Sequence, residues 1–214
     1  MLTLDANNTF VLYNMYDGLY RNMGNPPKLE PWLATGYTVS DDGLTWEFKL
    51  RDGVKFHDGT PMTSADVVYS FQRMLGIGRG PATVFKAALK PENIAAVDDL
   101  TVRFTLSQPY APFFTAIPMV AILNSKLLKE HEANGDWGSA WLTGNDAGSG
   151  AYSLVGGTFA PQNTFDVKQF PDHFYGWADN PKAPTIVHTL NVNESSTMAL
   201  GVISGSIDAT TNYI

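Results

Sequence analysis

Short stretches of period-two alternation and short helical stretches follow one another along this chain, separated by turns rich in Gly, Asp and Pro. The clearest strand is 45–50, where Trp46, Phe48 and Leu50 face one way and Thr45, Glu47 and Lys49 the other, as a half-buried strand requires. Residues 101–106 repeat the pattern, with Val102, Phe104 and Leu106 set against Thr101, Arg103 and Thr105. Residues 37–40 predict a third strand, stopped at Asp41-Asp42-Gly43, where Gly supplies the positive φ of a turn. Arg51-Asp52-Gly53 and His57-Asp58-Gly59 bracket an extended 54–56, and Thr63 then stands three residues before Asp66, close to a capping box. The helix this starts carries Val67, Val68, Phe71, Met74 and Leu75 on one stripe.

Elsewhere the pattern predicts helices at 9–20, 82–89, 125–132, 136–143 and 194–204, and an apolar helix start within 108–118. Met198, Ala199, Val202 and Ile203 are the expected buried face of 194–204. Strands are expected at 94–97, 120–123, 152–155, 164–170 and 185–192, and a connector at 22–31. The run Gly76-Ile77-Gly78-Arg79-Gly80-Pro81 has the wrong spacing for a phosphate-binding loop and reads as a link between helices.

With 214 residues, 44% hydrophobic and 16% charged, the chain can bury a substantial core in one large domain or two small ones. A formal net charge of −7, with no basic patch, argues against nucleic acid as a partner. The absence of cysteine removes disulfides, thiol catalysis and cysteine metal sites. His57, His131, His173 and His188 are scattered with no i, i+4 pair, which speaks against a metal site or cofactor held by them. Asp41-Asp42 and Asp98-Asp99 fall in turns, where nothing buries one acid to raise its pKa for acid–base work. Gly148-Ser149-Gly150 is too short for a nucleophile elbow, so no catalytic centre emerges and the chain reads as a non-enzyme. An aromatic content of 12% suits a cleft that grips a ligand by area, although most of these rings belong in the core.

The stretch 31–75 resembles the signature region of the family 5 extracellular solute-binding proteins, the dipeptide, oligopeptide and nickel receptors of bacterial ABC importers. The matching residues are Pro31, Leu33-Ala34, Val39-Ser40, Asp42-Gly43, Trp46, Phe48, Leu50-Arg51, the run Gly53 to Gly59, Pro61, Thr63, Asp66-Val67 and Tyr69-Ser70-Phe71. Further marks are Tyr16-Asp17-Gly18-Leu19, which is similar to a Tyr-Glu-Gly-Leu pattern, and Asn145 to Tyr152, which resembles a Gly-Thr-Gly-Pro-Tyr junction with Ser149 for Thr and Ala151 for Pro. Phe174-Tyr175-Gly176-Trp177 and Ser206-Ile207-Asp208 resemble two later turns and strands of the family.

The resemblance implies a mixed α/β fold: a periplasmic-binding-protein-like type II lobe with an inserted α+β subdomain, the second lobe lying beyond Ile214. It implies that 1–30 and 148–214 form the central sheet of the first lobe and 31–147 the inserted subdomain. It implies ligand contacts at Asn8, Thr9 and Phe10, at Asn145, Asp146 and Gly148, and at Asn212 and Tyr213. The function it implies is capture of a peptide-like or other small solute between two lobes by hinge closure, and delivery to an ABC permease and ATPase complex. It also implies a monomer when full length, placed in the periplasm or anchored outside the membrane of a Gram-positive cell. A secreted hydrolase using a carboxylate or serine, and a sensory module uncoupled from transport, are the rival readings.

Overall fold

The computed structural model describes residues 13–157, 165–189 and 195–208. A helical turn at 13–15 is followed by β1 (Tyr20–Met23), which pairs antiparallel with β2 (Lys28–Pro31) in a two-stranded ribbon. The expected helix to residue 20 therefore ends early, and the expected connector at 22–31 is a hairpin. The cause is long-range pairing of the backbone. The carbonyl of Asp17 accepts from Ile122 N–H at 2.9 Å, that of Gly18 from Leu33 N–H at 3.2 Å, and that of Leu19 from Trp32 and Ala34 N–H at 3.1 and 3.0 Å. These carbonyls are lost to a continued helix.

A four-stranded antiparallel sheet follows, built from β3 (Ala34–Val39), β4 (Thr45–Leu50), β5 (Ile94–Asp98) and β6 (Thr101–Thr105) in the order β3-β4-β6-β5. Register pairs Phe48 with Val102 and Trp46 with Phe104, so the alternating apolar sets of β4 and β6 share one face. Against it lies α1 (Ser64–Ile77), with Val67, Phe71 and Leu75 buried. Its N-terminus is built as expected: Thr63 N–H donates to Asp66 Oδ2 at 2.8 Å, and the helix ends in a left-handed Gly78 at φ 74°. Two short helices, α2 (Ala82–Phe85) and α3 (Pro112–Ala116), close the core over Phe48, Phe71, Phe85, Phe104 and Phe113, all 1% exposed or less. Each such ring contributes about 2–3 kcal/mol on burial.

A second apolar cluster gathers Met15, Tyr16, Tyr69, Leu123, Leu128, Ala147, Tyr152 and Val167 around α4 (Ser125–Glu130) and a three-stranded antiparallel sheet. That sheet is β7 (Tyr152–Gly157), β8 (Phe165–Gln169) and β9 (Ile186–Thr189), in chain order. The last described helix is α5 (Ser195–Ser204).

Four further expectations need correction. Residues 120–123 form no ladder; Leu123 N–H donates instead to the Ser70 hydroxyl at 2.9 Å. The helix at 82–89 stops at Phe85. The segment 136–143 is a loop ending in a 3-10 turn, Trp141–Thr143, because the Asp136 carboxylate collects the N–H groups of Ala133, Gly138 and Ala140 at 3.1, 2.9 and 2.8 Å. Finally, Val202 and Ile203 are 38% and 82% exposed rather than buried, since α5 packs through Gly201 onto Ile207.

Candidate functional site

Residues of three family-like motifs, Asp17, His57 and the 145–151 stretch, meet at one largely buried polar junction. Its spine is the backbone of 145–151, threaded between the end of the first helical turn and the His57 turn. Gly150 N–H donates to Met15 O at 3.0 Å, Asn124 N–H to Ala147 O at 3.0 Å, and His57 N–H to Gly148 O at 2.9 Å. The approach is so close that a Cβ on Gly148 would sit 2.0 Å from Met15 O, and one on Gly150 2.6 Å from Asn14 O. Glycine is needed here for space, as no Cβ fits.

Asp146 organises the side chains. Its Oδ1 accepts from Gly148 N–H at 2.8 Å, while its Oδ2 accepts from Leu154 N–H at 2.9 Å and lies 2.7 Å from His57 Nδ1. The other ring nitrogen of His57 lies 2.8 Å from Gly150 O, and Phe170 packs edge-on at 4.9 Å. Burial alone would lower the His57 pKa; the hydrogen bond and charge of Asp146, then the Gly150 carbonyl and the Asp17 charge, reverse this and raise it. Burial, with the Asp146 charge second, pushes the Tyr16 hydroxyl well above the ordinary phenol range.

Asp17 makes a second node. At 1% exposure it accepts from Trp32 Nε1–H at 2.7 Å and from Ser149 Oγ–H at 3.3 Å, with Arg21 Nη2 at 3.9 Å. His173 Nε2 comes within 3.4 Å of it without completing a hydrogen bond. Phe174 packs edge-on against Trp32 at 5.2 Å, Tyr175 stacks on Trp32 at 5.0 Å, and the Arg21 guanidinium lies 4.4 Å from the centre of the Trp32 ring. Asp58, beside His57, holds the Thr60 N–H and hydroxyl at 2.9 and 2.6 Å, and its Oδ2 accepts from Asn124 Nδ2 at 2.8 Å. The turn expected at His57-Asp58-Gly59 is thus also a long-range tether.

Of the residues expected to touch ligand, the structure brings Asn145, Asp146 and Gly148 to this junction. Asn145 is exposed and donates its side-chain N–H to Trp141 O at 2.8 Å. Asn8, Thr9, Phe10, Asn212 and Tyr213 lie outside the described residues. An open recess of about 380 Å³ is lined by Tyr13, Asn14, Arg21, Asn22 and Met23, and of the groups around Asp17 and Asp146 it includes only Arg21. Among the described residues no group of three or more His, Asp or Glu could hold a metal ion, and no helix is long and apolar enough to cross a membrane. Sequence reasoning missed Trp32 and His173 as partners of Asp17; only the motif Tyr16-Asp17-Gly18-Leu19 pointed to that place.

Comparison with known proteins matches residues 28–214 to the bacterial extracellular solute-binding proteins, family 5 Middle. The probable D,D-dipeptide-binding periplasmic protein DdpA of Escherichia coli (strain K12) is 43% identical over 159 residues, 72% of this chain and 30% of that protein. The glutathione-binding protein GsiB of Escherichia coli O1:K1 / APEC is 38% identical over 135 residues, 59% of this chain and 25% of that protein. Among solved structures, AgaA of A. tumefaciens R10 in complex with agropinic acid is 28% identical with a TM-score of 0.78, over 95% of this chain and 39% of that one. The aligned stretches therefore span a quarter to two fifths of these relatives, and the fold is a partial periplasmic-binding-protein domain of mixed helix and sheet. These three are binding proteins, as the absence of a catalytic constellation in the sequence led one to expect of the family. The chain belongs to the family 5 bacterial extracellular solute-binding proteins.

Proposed function

We propose that this chain is part of the substrate-binding component of an ABC importer, taking a peptide-like solute outside the cytoplasmic membrane for delivery to a permease. The observation that carries the reading is the 43% identity to a probable D,D-dipeptide-binding protein over 159 residues, 72% of this chain. A short peptide, with D,D-dipeptides and glutathione as the first two to try, is the ligand class those relatives favour.

Our reading of the site keeps the three places named from the sequence: Asn8, Thr9 and Phe10; Asn145, Asp146 and Gly148; Asn212 and Tyr213. At the middle one, Asp146 and Gly148 act as framework, because the Asp146 carboxylate already serves three internal groups. Asn145, exposed on the same loop, is the better ligand contact. We further read 31–147 as an inserted subdomain against a first-lobe sheet of 1–30 and 148–214. The first apolar cluster supports this reading, since apart from Leu19 and Tyr20 it lies wholly within 32–122, while the second joins Tyr69, Leu123, Leu128 and Ala147 to Met15, Tyr16, Tyr152 and Val167 and so reads as the seam between the two parts.

Native mass spectrometry of the protein isolated from its source, followed by calorimetric titration of the emptied protein, tests the ligand class. A retained mass displaced by a D,D-dipeptide or by glutathione supports the proposal. A protein that binds neither and no L,L-dipeptide, or that hydrolyses them, overturns it.

A further inference from the structure

The His57 ring is almost fully enclosed, with a side-chain exposure of 6%, and both its nitrogens point at acceptors. Nδ1 faces the Asp146 carboxylate at 2.7 Å and Nε2 faces the Gly150 carbonyl at 2.8 Å. A neutral imidazole has one N–H and one lone pair, so either tautomer would set a lone pair against an oxygen lone pair at hydrogen-bond distance. Only the imidazolium donates to both. Carbonyl and carboxylate belong to the two ends of the same short loop, which carries Asn145 at one end and Gly150 at the other.

We propose that His57 is the positioning residue of the junction: a doubly donating imidazolium that clips both ends of the 146–150 loop to the signature turn and so fixes how Asn145 is presented. The charged groups around it favour this state. Asp146 faces it from the loop, and Asp17 adds a second negative charge from the segment after the first helical turn. On the segment after β8, Asp172 is already paired with Lys55 at 3.0 Å and His173 is turned to Asp17. On its own turn, Asp58 is occupied by Thr60 and Asn124. Tyr16, beside Asp146, stays a neutral phenol through neutral pH.

The consequence for ligand binding rests on the proposed site at Asn145, but the clip itself is tested without ligand. Long-range ¹H–¹⁵N NMR of the labelled chain reads the protonation of both His57 nitrogens, and hydrogen exchange reads the Gly148 and Leu154 amides that donate to Asp146. The expected result is two protonated nitrogens at pH 7, a titration above that of a free histidine, and protection factors at Gly148 and Leu154 falling at least tenfold as His57 loses its proton. In Asp146→Asn the His57 titration should move down from that of the parent, because burial is then opposed only by the Gly150 carbonyl and the Asp17 charge. If that variant does not fold, the parent's titration and exchange decide alone. A single neutral tautomer at pH 7, or protection that stays level across the His57 titration, overturns the proposal. A failed peptide titration with an intact clip would instead count against the proposed ligand class.

Discussion

Gly148 and Gly59 show two different reasons for the absence of a side chain. At Gly59 the backbone sits at φ 85° with nothing within 4 Å of a built Cβ, so alanine meets only backbone strain, about 1–2 kcal/mol. At Gly148 a Cβ would fall 2.0 Å from the Met15 carbonyl oxygen, a backbone atom held by Gly150 N–H and unable to swing aside. Alanine there must push two chain segments apart and loosen the His57-to-Gly148 bond as well. We expect Gly148→Ala to cost roughly 3 kcal/mol, a fall of about 6–12 °C in melting temperature, and Gly59→Ala clearly less. Thermal melts by circular dichroism rank the two. Equal melting points for Gly148→Ala and the parent would contradict the close approach. A comparable test applies at Asp17, where Trp32→Phe leaves a 1% exposed carboxylate without its 2.7 Å donor; a loss of about 1–3 kcal/mol is expected from chemical denaturation.

Helix α1 owes its start to one carboxylate that serves two elements. Asp66 Oδ2 takes the Thr63 N–H, closing the first turn, and Oδ1 takes both the N–H and the hydroxyl of Ser125 at 2.9 and 2.7 Å, at the start of α4. Replacing Asp66 by alanine removes the cap and strands the donors of Ser125, which is itself buried. The expected cost is about 2–4 kcal/mol, read as a lower urea midpoint with an unchanged slope. An exposed cap alone would lose only about 1 kcal/mol, so the size of the loss decides whether the tie to α4 matters. The Thr63–Asp66 half of this was legible in the sequence, being three residues apart. The Ser125 half was not, since the two residues stand 59 positions apart and nothing local marks the pairing. Strands behaved likewise. β4 and β6 announce themselves because each buries one face, whereas β1 and β2 bury one residue of eight and show no alternation. The junction was legible as a set of motifs and illegible as a place. Sequence could say that His57 and Asp146 each belonged to a recognisable pattern, but not that 89 residues of chain bring them to 2.7 Å.

Across the whole molecule, the titratable groups divide the pH scale into windows that one experiment can separate. On the acid side, Asp42, Asp98 and Asp136 are held below the ordinary carboxylate range, chiefly by hydrogen bonds from Ser40, from Thr101 and from the Ala140 N–H. Stability from a lowered acid is present above its unfolded pKa and disappears as pH falls through the folded one, so these three act only in strong acid. At the alkaline end, burial raises the phenols of Tyr16, Tyr20, Tyr69 and Tyr152 from 10.0, so their resistance to ionisation weakens the fold only above that value. His57 alone among the described shifts acts between. Its folded pKa lies above the ordinary 6.5, so its contribution is complete below that pH and is lost as pH climbs through the raised value. Unfolding free energy from urea titrations should therefore decline from about pH 6.5 into the mildly alkaline range. Asp146→Asn should flatten the decline there while leaving the alkaline loss from the tyrosines in place. A parent whose stability is level from pH 6.5 until the tyrosines ionise would mean that folding gains nothing from the His57 proton, and the junction would then be held by its backbone hydrogen bonds and glycine contacts alone.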